Sequence, residues 1–587
     1  VEYSREKAEE ECLKALGLPE KEGNRFFAVP KSEEHGDLAC AIAFSLAKKE
    51  RKSPKEIAED IALKLSSFKL PASIEKIEAK DGFVNFFFSN GYYAQSLSQA
   101  LELKEKFGEG DSGKGKKIVV EFSQPNVGKP FHVGHIRSTI LGDAVANLKK
   151  SQGWKTVRMN YLGDSGTQVA KLLLALELFK EKLPEVKDEK TMLEYYVKIH
   201  KEIEAKPEVE EKAKEYLEKI EDGDSETIKK VEFIRKKSYE AFQRNYDLLG
   251  VKFDVVTGES EFVKSSKKIV VEALKKKIAF VDKGGETVVK LEHYGLPNFI
   301  VLRSNGTTLY TTRDLGLADY KFEKFGFDSS VILTAAEQNL HFKQVIKTLE
   351  LLGRKYAQNY KHVGFGLISL QEGKLSTREG RVVFLEDVIS ETVKAALHEL
   401  TAFGWHAKEL NSERIDRITD YTNKEKTEIA KRVGIGSLKF SILRITPEKN
   451  ILFNPKTAVS FAGDTGAYAQ YTCVRAKSIL EKAKEEKAKI PSDLSKFGFN
   501  REERGVTKLI AEYPIVLKNA SNAMQPHQLC DFILRLSAAF NEFYHAHSVL
   551  KAEKNEEKPK RLALVKATAL VLENALSLLG IKVPEKM

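Results

Sequence analysis

The sequence predicts an α/β multidomain protein, and three observations carry that prediction. At 587 residues the chain is too long for one hydrophobic core, so about three domains or more are expected. The β-branched run Ile118-Val119-Val120 leads through a polar turn into Ile136, Ile140, Leu141, Val145 and Leu148 at helical spacing, then into Thr156-Val-Arg-Met-Asn-Tyr161. That β-α-β order predicts a Rossmann-like parallel sheet. Beyond roughly residue 405 strand signals vanish, glycines become few after residue 466, and the remainder reads as an all-α helix bundle.

Composition narrows the class. Apolar residues make up 42% and charged residues 31%, a soluble globular profile. No run of about 18 apolar residues exists to span a membrane. The opening Val1-Glu-Tyr-Ser-Arg-Glu-Lys lacks an apolar signal core, so a cytoplasmic location is expected. Cys12, Cys40, Cys473 and Cys530 lack metal-ligand spacing, so reduced thiols and no structural metal are expected. The net charge of +11 suits a polyanionic partner, and equally a chain that is merely soluble.

Residues 1–110 read as a small α/β N-terminal domain, with strand patterns at Phe26-Phe-Ala-Val and Gly82-Phe-Val-Asn-Phe-Phe-Phe88. The Gly- and Lys-rich stretch 107–117 lacks periodicity and reads as a linker, centred on 111–117. The parallel-sheet domain spans 118–372. Its rhythm breaks over about 168–292, where charged helical sequence reads as an insertion with solvated faces. The second half resumes at Phe299-Ile-Val-Leu-Arg303, continues through strands at Val331-Ile-Leu-Thr334 and His362-Val-Gly-Phe-Gly-Leu-Ile368, and meets a basic loop at Glu372–Gly380. Residues 373–404 connect to the helical domain, expected over 405–587.

The chemistry concentrates where the first strand ends. His132 and His135, with Gly134 between them, sit at a strand-to-helix junction, the usual place for a nucleotide phosphate. Gly134 leaves room for a ligand against the backbone, and each imidazole can hold a phosphate oxygen by hydrogen bond, or by charge when protonated. His-x-Gly-His on its own also occurs in other nucleotidyl-transferring α/β enzymes. The wider Ser123-x-Pro-Asn126-x-x-Lys129-Pro-x-His132-x-Gly-His135 resembles the arginyl-tRNA synthetases of class I, as does Gly163-Asp-Ser-Gly-Thr-Gln168.

That resemblance implies a catalytic domain that activates arginine with ATP and Mg2+, then esterifies the 2′-hydroxyl of the terminal adenosine of its tRNA. Lys374, Ser376, Thr377 and Arg378 resemble the mobile Lys-Met-Ser-Lys-Ser loop of the class. Leu375 replaces the methionine and Thr377 the second lysine, so one ammonium is missing. Arginyl enzymes commonly show this loss and carry a lysine ahead of the histidines, where Lys129 stands. As lone residues, Lys129 and Arg378 read more often as surface charges. The resemblance places ATP at His132, Gly134, His135, His341 and Lys374, and arginine at Glu121, Ser123, Asn126, His132, Tyr310, Asp314 and Gln338. Asp314 lies one helical turn after Tyr310, so both can face one pocket, where a carboxylate suits a guanidinium; read alone, Asp314 is as well an aspartate favoured by a helix N-terminus.

For tRNA the resemblance implies Phe83 and Asn85 at the D-loop, and Tyr468, Arg475, Tyr544 and Met587 at the anticodon; Gln470 and Tyr471 on the same helical stretch add an amide and an aromatic. Aromatics beside an amide and a cation can stack and hydrogen-bond an unpaired base, although Phe83 also reads as a packed strand residue and a terminal Met587 as frayed. The family's members mostly act as monomers and need bound tRNA before activating the amino acid. A eukaryote-like or archaeal-like subtype is expected. The rivals are a class I relative for another amino acid, and a non-enzymatic RNA-binding protein that kept the fold.

Overall fold

The computed structural model describes residues 2–19, 24–30, 32–179, 188–370, 383–409, 421–491, 493–552 and 556–587. The N-terminal domain holds α1 (Ser4–Leu16), β1 (Phe27–Ala28), β2 (Leu38–Cys40), α2 (Ile42–Glu50), α3 (Pro54–Ser66), β3 (Ile74–Lys80), β4 (Phe83–Phe88) and α4 (Asn90–Leu103). Its strands form an antiparallel sheet in the order β1-β2-β4-β3. Ser53 starts α3 through a reciprocal capping box with Glu56.

The stretch expected to be a linker is packed instead. Phe107 is buried and stacks on Tyr513 at 5.9 Å, and the Tyr3 hydroxyl accepts from the Gly108 N–H at 2.9 Å and donates to the Glu109 carbonyl at 2.8 Å. A side chain at Gly113 would strike Trp154. Glycine here serves close approach rather than looseness, which a composition count does not separate.

The central domain begins with β5 (Lys117–Glu121), α5 (Val133–Ser151) and β6 (Lys155–Leu162). Four helices follow: α6 (Thr167–Leu178), α7 (Glu189–Ala205), α8 (Glu208–Asp222) and α9 (Ser225–Leu249). Next come β7 (Val255–Gly258), α10 (Val263–Lys275), β8 (Ala279–Val281), β9 (Thr287–Val289), β10 (Phe299–Leu302), α11 (Tyr310–Phe325), β11 (Ser329–Ala335), α12 (Asn339–Leu351) and β12 (Tyr360–Phe365). The main sheet is all parallel, in the order β12-β11-β5-β6-β7.

Two boundaries differ from expectation. The insertion foreseen over 168–292 contains β7, the fifth strand of the main sheet, so the inserted helices end at Leu249. A four-residue edge strand is too short to show a period of its own. The strand at Phe299–Leu302 does not resume the main sheet; it pairs antiparallel with β9 in a separate sheet of order β10-β9-β8.

The rest comprises β13 (Ile368–Leu370), α13 (Leu385–Glu409), α14 (Asn423–Leu443), β14 (Ile451–Phe453), α15 (Gly466–Glu485), α16 (Arg501–Ala523), α17 (His527–Ala546) and α18 (Glu557–Leu578). Helix therefore starts at Leu385, ahead of residue 405, and one strand, β14, persists inside the helical region by pairing with β13. The N-terminal domain docks on α16 through ion pairs of Lys508 with Asp37 (3.2 Å), Arg504 with Glu75 (3.5 Å) and Lys518 with Glu6 (2.9 Å). All four cysteines are buried free thiols.

Candidate active site at the switch point of the sheet

β5 continues on one side into β6, while β11 joins its other side, so the strand order reverses between β5 and β11. Ligands of open α/β sheets bind in the crevice at such a point, beyond the carboxyl ends of the strands. A cavity of about 950 Å³ lies there, lined by Glu121 at the end of β5, Asn126 just after it, His132 and His135 at the start of α5, and Tyr310 and Asp314 on α11.

The two histidines are built into the start of α5. His132 is its N-cap, with Nδ1 accepting the Gly134 N–H at 3.0 Å, and His135 Nδ1 accepts the His132 N–H at 3.3 Å. With Nδ1 accepting in each ring, Nε2 carries the hydrogen and remains a donor. The ring centroids lie 4.0 Å apart, with the planes tilted by 34°. Burial, helped by the charge of Lys129, lowers His132 to about 4 and His135 well below its usual range. At neutral pH both are uncharged, so of the two modes open to them the hydrogen bond survives and the charge does not. Gly134 is needed at this point because a Cβ would lie 2.7 Å from the His132 ring. Lys129 holds its ammonium over the Tyr196 ring of α7, 4.7 Å from the centroid. Lys374, Ser376, Thr377 and Arg378 lie outside the described residues.

At the end of β5, Glu121 is buried, takes a hydrogen bond from Gln124 Nε2 on Oε1 at 2.8 Å, and pairs through Oε2 with the buried ammonium of Lys321. Ser123 and Gln124 both adopt positive φ, +80° and +49°, rare for residues with a Cβ. Hydrogen bonds from their N–H groups to Ser138 Oγ (2.9 Å) and Asn160 Oδ1 (3.2 Å) hold that turn. Ser123 also lines the cavity, and its hydroxyl is held in place by bonds with Tyr246 at 2.8 Å and Thr139 at 2.9 Å. Asn126 is exposed to the cavity.

On the opposite wall Tyr310, 54% exposed, opens α11, and Asp314 follows one turn later, facing the same cavity. Gln338 joins them from the end of β11. His341, expected at ATP, instead places Nε2 2.6 Å from Asp314 Oδ2. Sequence reasoning missed Glu259, which lines the cavity against Arg313, whose Nε and Nη2 reach Glu259 Oε2 at 2.9 and 2.7 Å. Burial raises the Glu259 carboxyl to about 7. The polar glycine turn Thr257-Gly-Glu259-Ser after β7 was the available signal.

The RNA residues divide. Arg475 stacks on Tyr471 (4.6 Å) and Tyr544 (5.4 Å) and donates to Asn541 Oδ1 at 2.6 Å, while Asn541 Nδ2 donates to the Tyr468 hydroxyl at 2.9 Å. Tyr471 is itself buried against Phe461 at 5.8 Å, so Tyr468, Arg475 and Tyr544 form the accessible part of this cluster on α15 and α17. Gln470 is a correction: it is fully buried, and Nε2 donates to the carbonyls of Arg432 and Lys582 at 3.2 and 2.8 Å. Asn85, 1% exposed inside the sheet, presents no amide to an RNA surface, whereas Phe83 is half-buried against Phe44 at 5.0 Å. Met587 is not frayed but buried, in one apolar cluster with Leu400, Val433 and Val474.

His362 behind the cavity carries a testable pH signature. Burial lowers it from 6.5 to about 4. Between these values the unfolded chain binds a proton that the folded chain does not, so stability falls as pH drops through that window. Relative to a His362→Gln variant, the wild type is expected to lose urea resistance from pH 6.5 down to 4. A stability difference constant over that range would refute the assignment.

Comparison with known proteins follows the same division of the chain. Residues 6–88 match the model of the arginyl tRNA synthetase N-terminal domain, residues 96–454 that of the class I (R) tRNA synthetase catalytic domain, and residues 469–587 that of the DALR anticodon binding domain. The chain is 38% identical over 581 residues to the arginine–tRNA ligase of Clostridioides difficile, covering 98% of each. It is 39% identical over 583 residues to that of Clostridium kluyveri, covering 99% of each. The solved arginyl-tRNA synthetase of Thermus thermophilus superposes with a TM-score of 0.79 at 25% identity, over 99% of this chain and 100% of that one. These relatives are bacterial, and they do not support the eukaryote-like or archaeal-like subtype.

Proposed function

The chain belongs to the class I arginyl-tRNA synthetases, and from that premise we propose how its residues do the work of an arginine–tRNA ligase. The triphosphate of ATP lies at the N-terminus of α5, where Nε2–H of His132 and His135 donate to its oxygens and the helix dipole favours its charge. Lys129 adds a cation beside them. Mg2+ would enter with the nucleotide as part of the substrate.

Arginine lies across the cavity, its amino and carboxylate groups toward Glu121 and Asn126, its guanidinium toward Tyr310, Asp314 and Gln338, with Glu259 as a further carboxylate on that wall. The arginine carboxylate attacks the α-phosphorus, and the bond to the bridging oxygen breaks to release pyrophosphate. The 2′-hydroxyl of the terminal adenosine then attacks the activated carbonyl and AMP leaves. The protein supplies position and hydrogen bonds to charge on phosphate. The Tyr468, Arg475 and Tyr544 patch, with Tyr471 packed behind it, stacks on anticodon bases. We propose a cytoplasmic enzyme that acts as a monomer.

The observation that carries this reading is that one cavity joins a pair of neutral imidazole donors at a helix N-terminus to a carboxylate wall. ATP–pyrophosphate exchange with each of the twenty amino acids, with and without tRNA, tests it. Exchange with arginine alone, and only when tRNA is present, is expected. Exchange with another amino acid would overturn the pocket. No exchange with RNA binding intact would favour a binding protein.

A further inference from the structure

Asp314 meets the cavity on one side and His341 on the other. The His341 ring is buried on α12 and surrounded by Phe342 (4.8 Å), Tyr310 (5.0 Å) and Phe299 (5.8 Å). Nε2 lies 2.6 Å from Asp314 Oδ2, whereas Nδ1 is buried without a hydrogen-bond partner among the described residues. Nothing else described competes for this ring's hydrogen bonding. A nitrogen facing a carboxylate carries the hydrogen, so Nε2–H donates and the tautomer is set by Asp314.

An aspartate carboxylate turns easily about its last torsion, which has broad wells. One oxygen pinned by a buried ring fixes the plane of the group and leaves Oδ1 as the atom turned to the substrate. The fixed plane matters for a guanidinium, a flat fork of donors, and far less for the point charge of an ammonium. We propose that His341 is a positioning residue for amino-acid choice: through Asp314 Oδ2 it sets the carboxylate plane that reads arginine and disfavours lysine. The inference rests on Asp314 as the partner of the guanidinium.

The test uses the full chain with tRNA and compares His341→Leu, His341→Gln and His341→Asn, with Asp314→Asn as reference. His341→Leu is expected to raise the KM for arginine about tenfold, the loss of one hydrogen bond to a charged group. The KM for ATP should stay unchanged, and the preference for arginine over lysine should narrow. His341→Gln puts an amide N–H where Nε2 stood and is expected to recover most of the loss. His341→Asn, whose shorter amide falls back to the Nδ1 position, should resemble His341→Leu. An unchanged arginine KM in His341→Leu beside a large rise in Asp314→Asn would overturn the proposal and leave the pocket standing. Equal impairment in the leucine and glutamine variants, or an unaltered preference over lysine, would reduce His341 to packing. An arginine KM unmoved by Asp314→Asn would remove the underlying pocket reading itself.

Discussion

Replacing His132 and His135 together by alanine is expected to lower aminoacylation by roughly four orders of magnitude while tRNA binding persists. Each neutral ring offers one Nε2–H, and removing one donor from developing charge costs about 100- to 1,000-fold. Two donors serving one phosphate chain act as a unit, so the double loss falls short of the product of the single losses. Tyr468, Arg475 and Tyr544, the residues proposed to meet RNA, lie on other helices and keep their contacts. His132 also caps α5 through Nδ1, which complicates an alanine there. His132→Asn separates the roles, since asparagine caps a helix well but cannot reach where Nε2 did. That variant should keep the urea midpoint of the wild type and still fall by about 100-fold or more in adenylate formation. Normal turnover in the double variant would remove both rings from the mechanism.

Which residues the sequence made legible follows from how local their determinants are. The histidine pair was readable because a strand, a turn and a helix start fix its place within a few residues, whatever the rest of the chain does. Tyr310 and Asp314 were readable for the same reason, one turn of a single helix. The partners of these groups were not. His341 reaches Asp314 from another helix, and Ser123 turns inward to meet Tyr246 on α9, far along the chain. Gln470 shows the same limit: spacing puts it beside Tyr468 and Tyr471, but only the packed bundle reveals that its amide ties α15 to the carbonyls of Arg432 and Lys582. The fold class and domain order were readable from periodicity. β7 was not, because a short edge strand owes its place to β6 rather than to its own pattern.

Lys321→Met is expected to destabilise the central domain by roughly 3–5 kcal/mol, the cost of stranding a buried charge by removing its partner. Lys321 is fully buried on α11, pairs with Glu121 and donates to the Tyr360 hydroxyl at 2.9 Å. It lies two turns beyond Asp314 on the same face of that helix, so α11 supplies both a carboxylate for the cavity and the cation that lets β5 end in one. Without Lys321 the buried Glu121 carboxylate would keep only the hydrogen bond from Gln124 Nε2. If the pair is coupled in this way, Lys321→Met with Glu121→Gln should recover much of the lost stability, because a neutral amide no longer needs the ammonium. Activity should not return with it, since Glu121 is the group proposed to meet the amino end of arginine. Urea denaturation of the two single variants and the double variant measures the coupling, and arginine KM in the double variant measures the function. A Lys321→Met protein as stable as the wild type would show that Glu121 is held by other means. A double variant with restored stability and a normal arginine KM would show instead that the pair serves the fold alone.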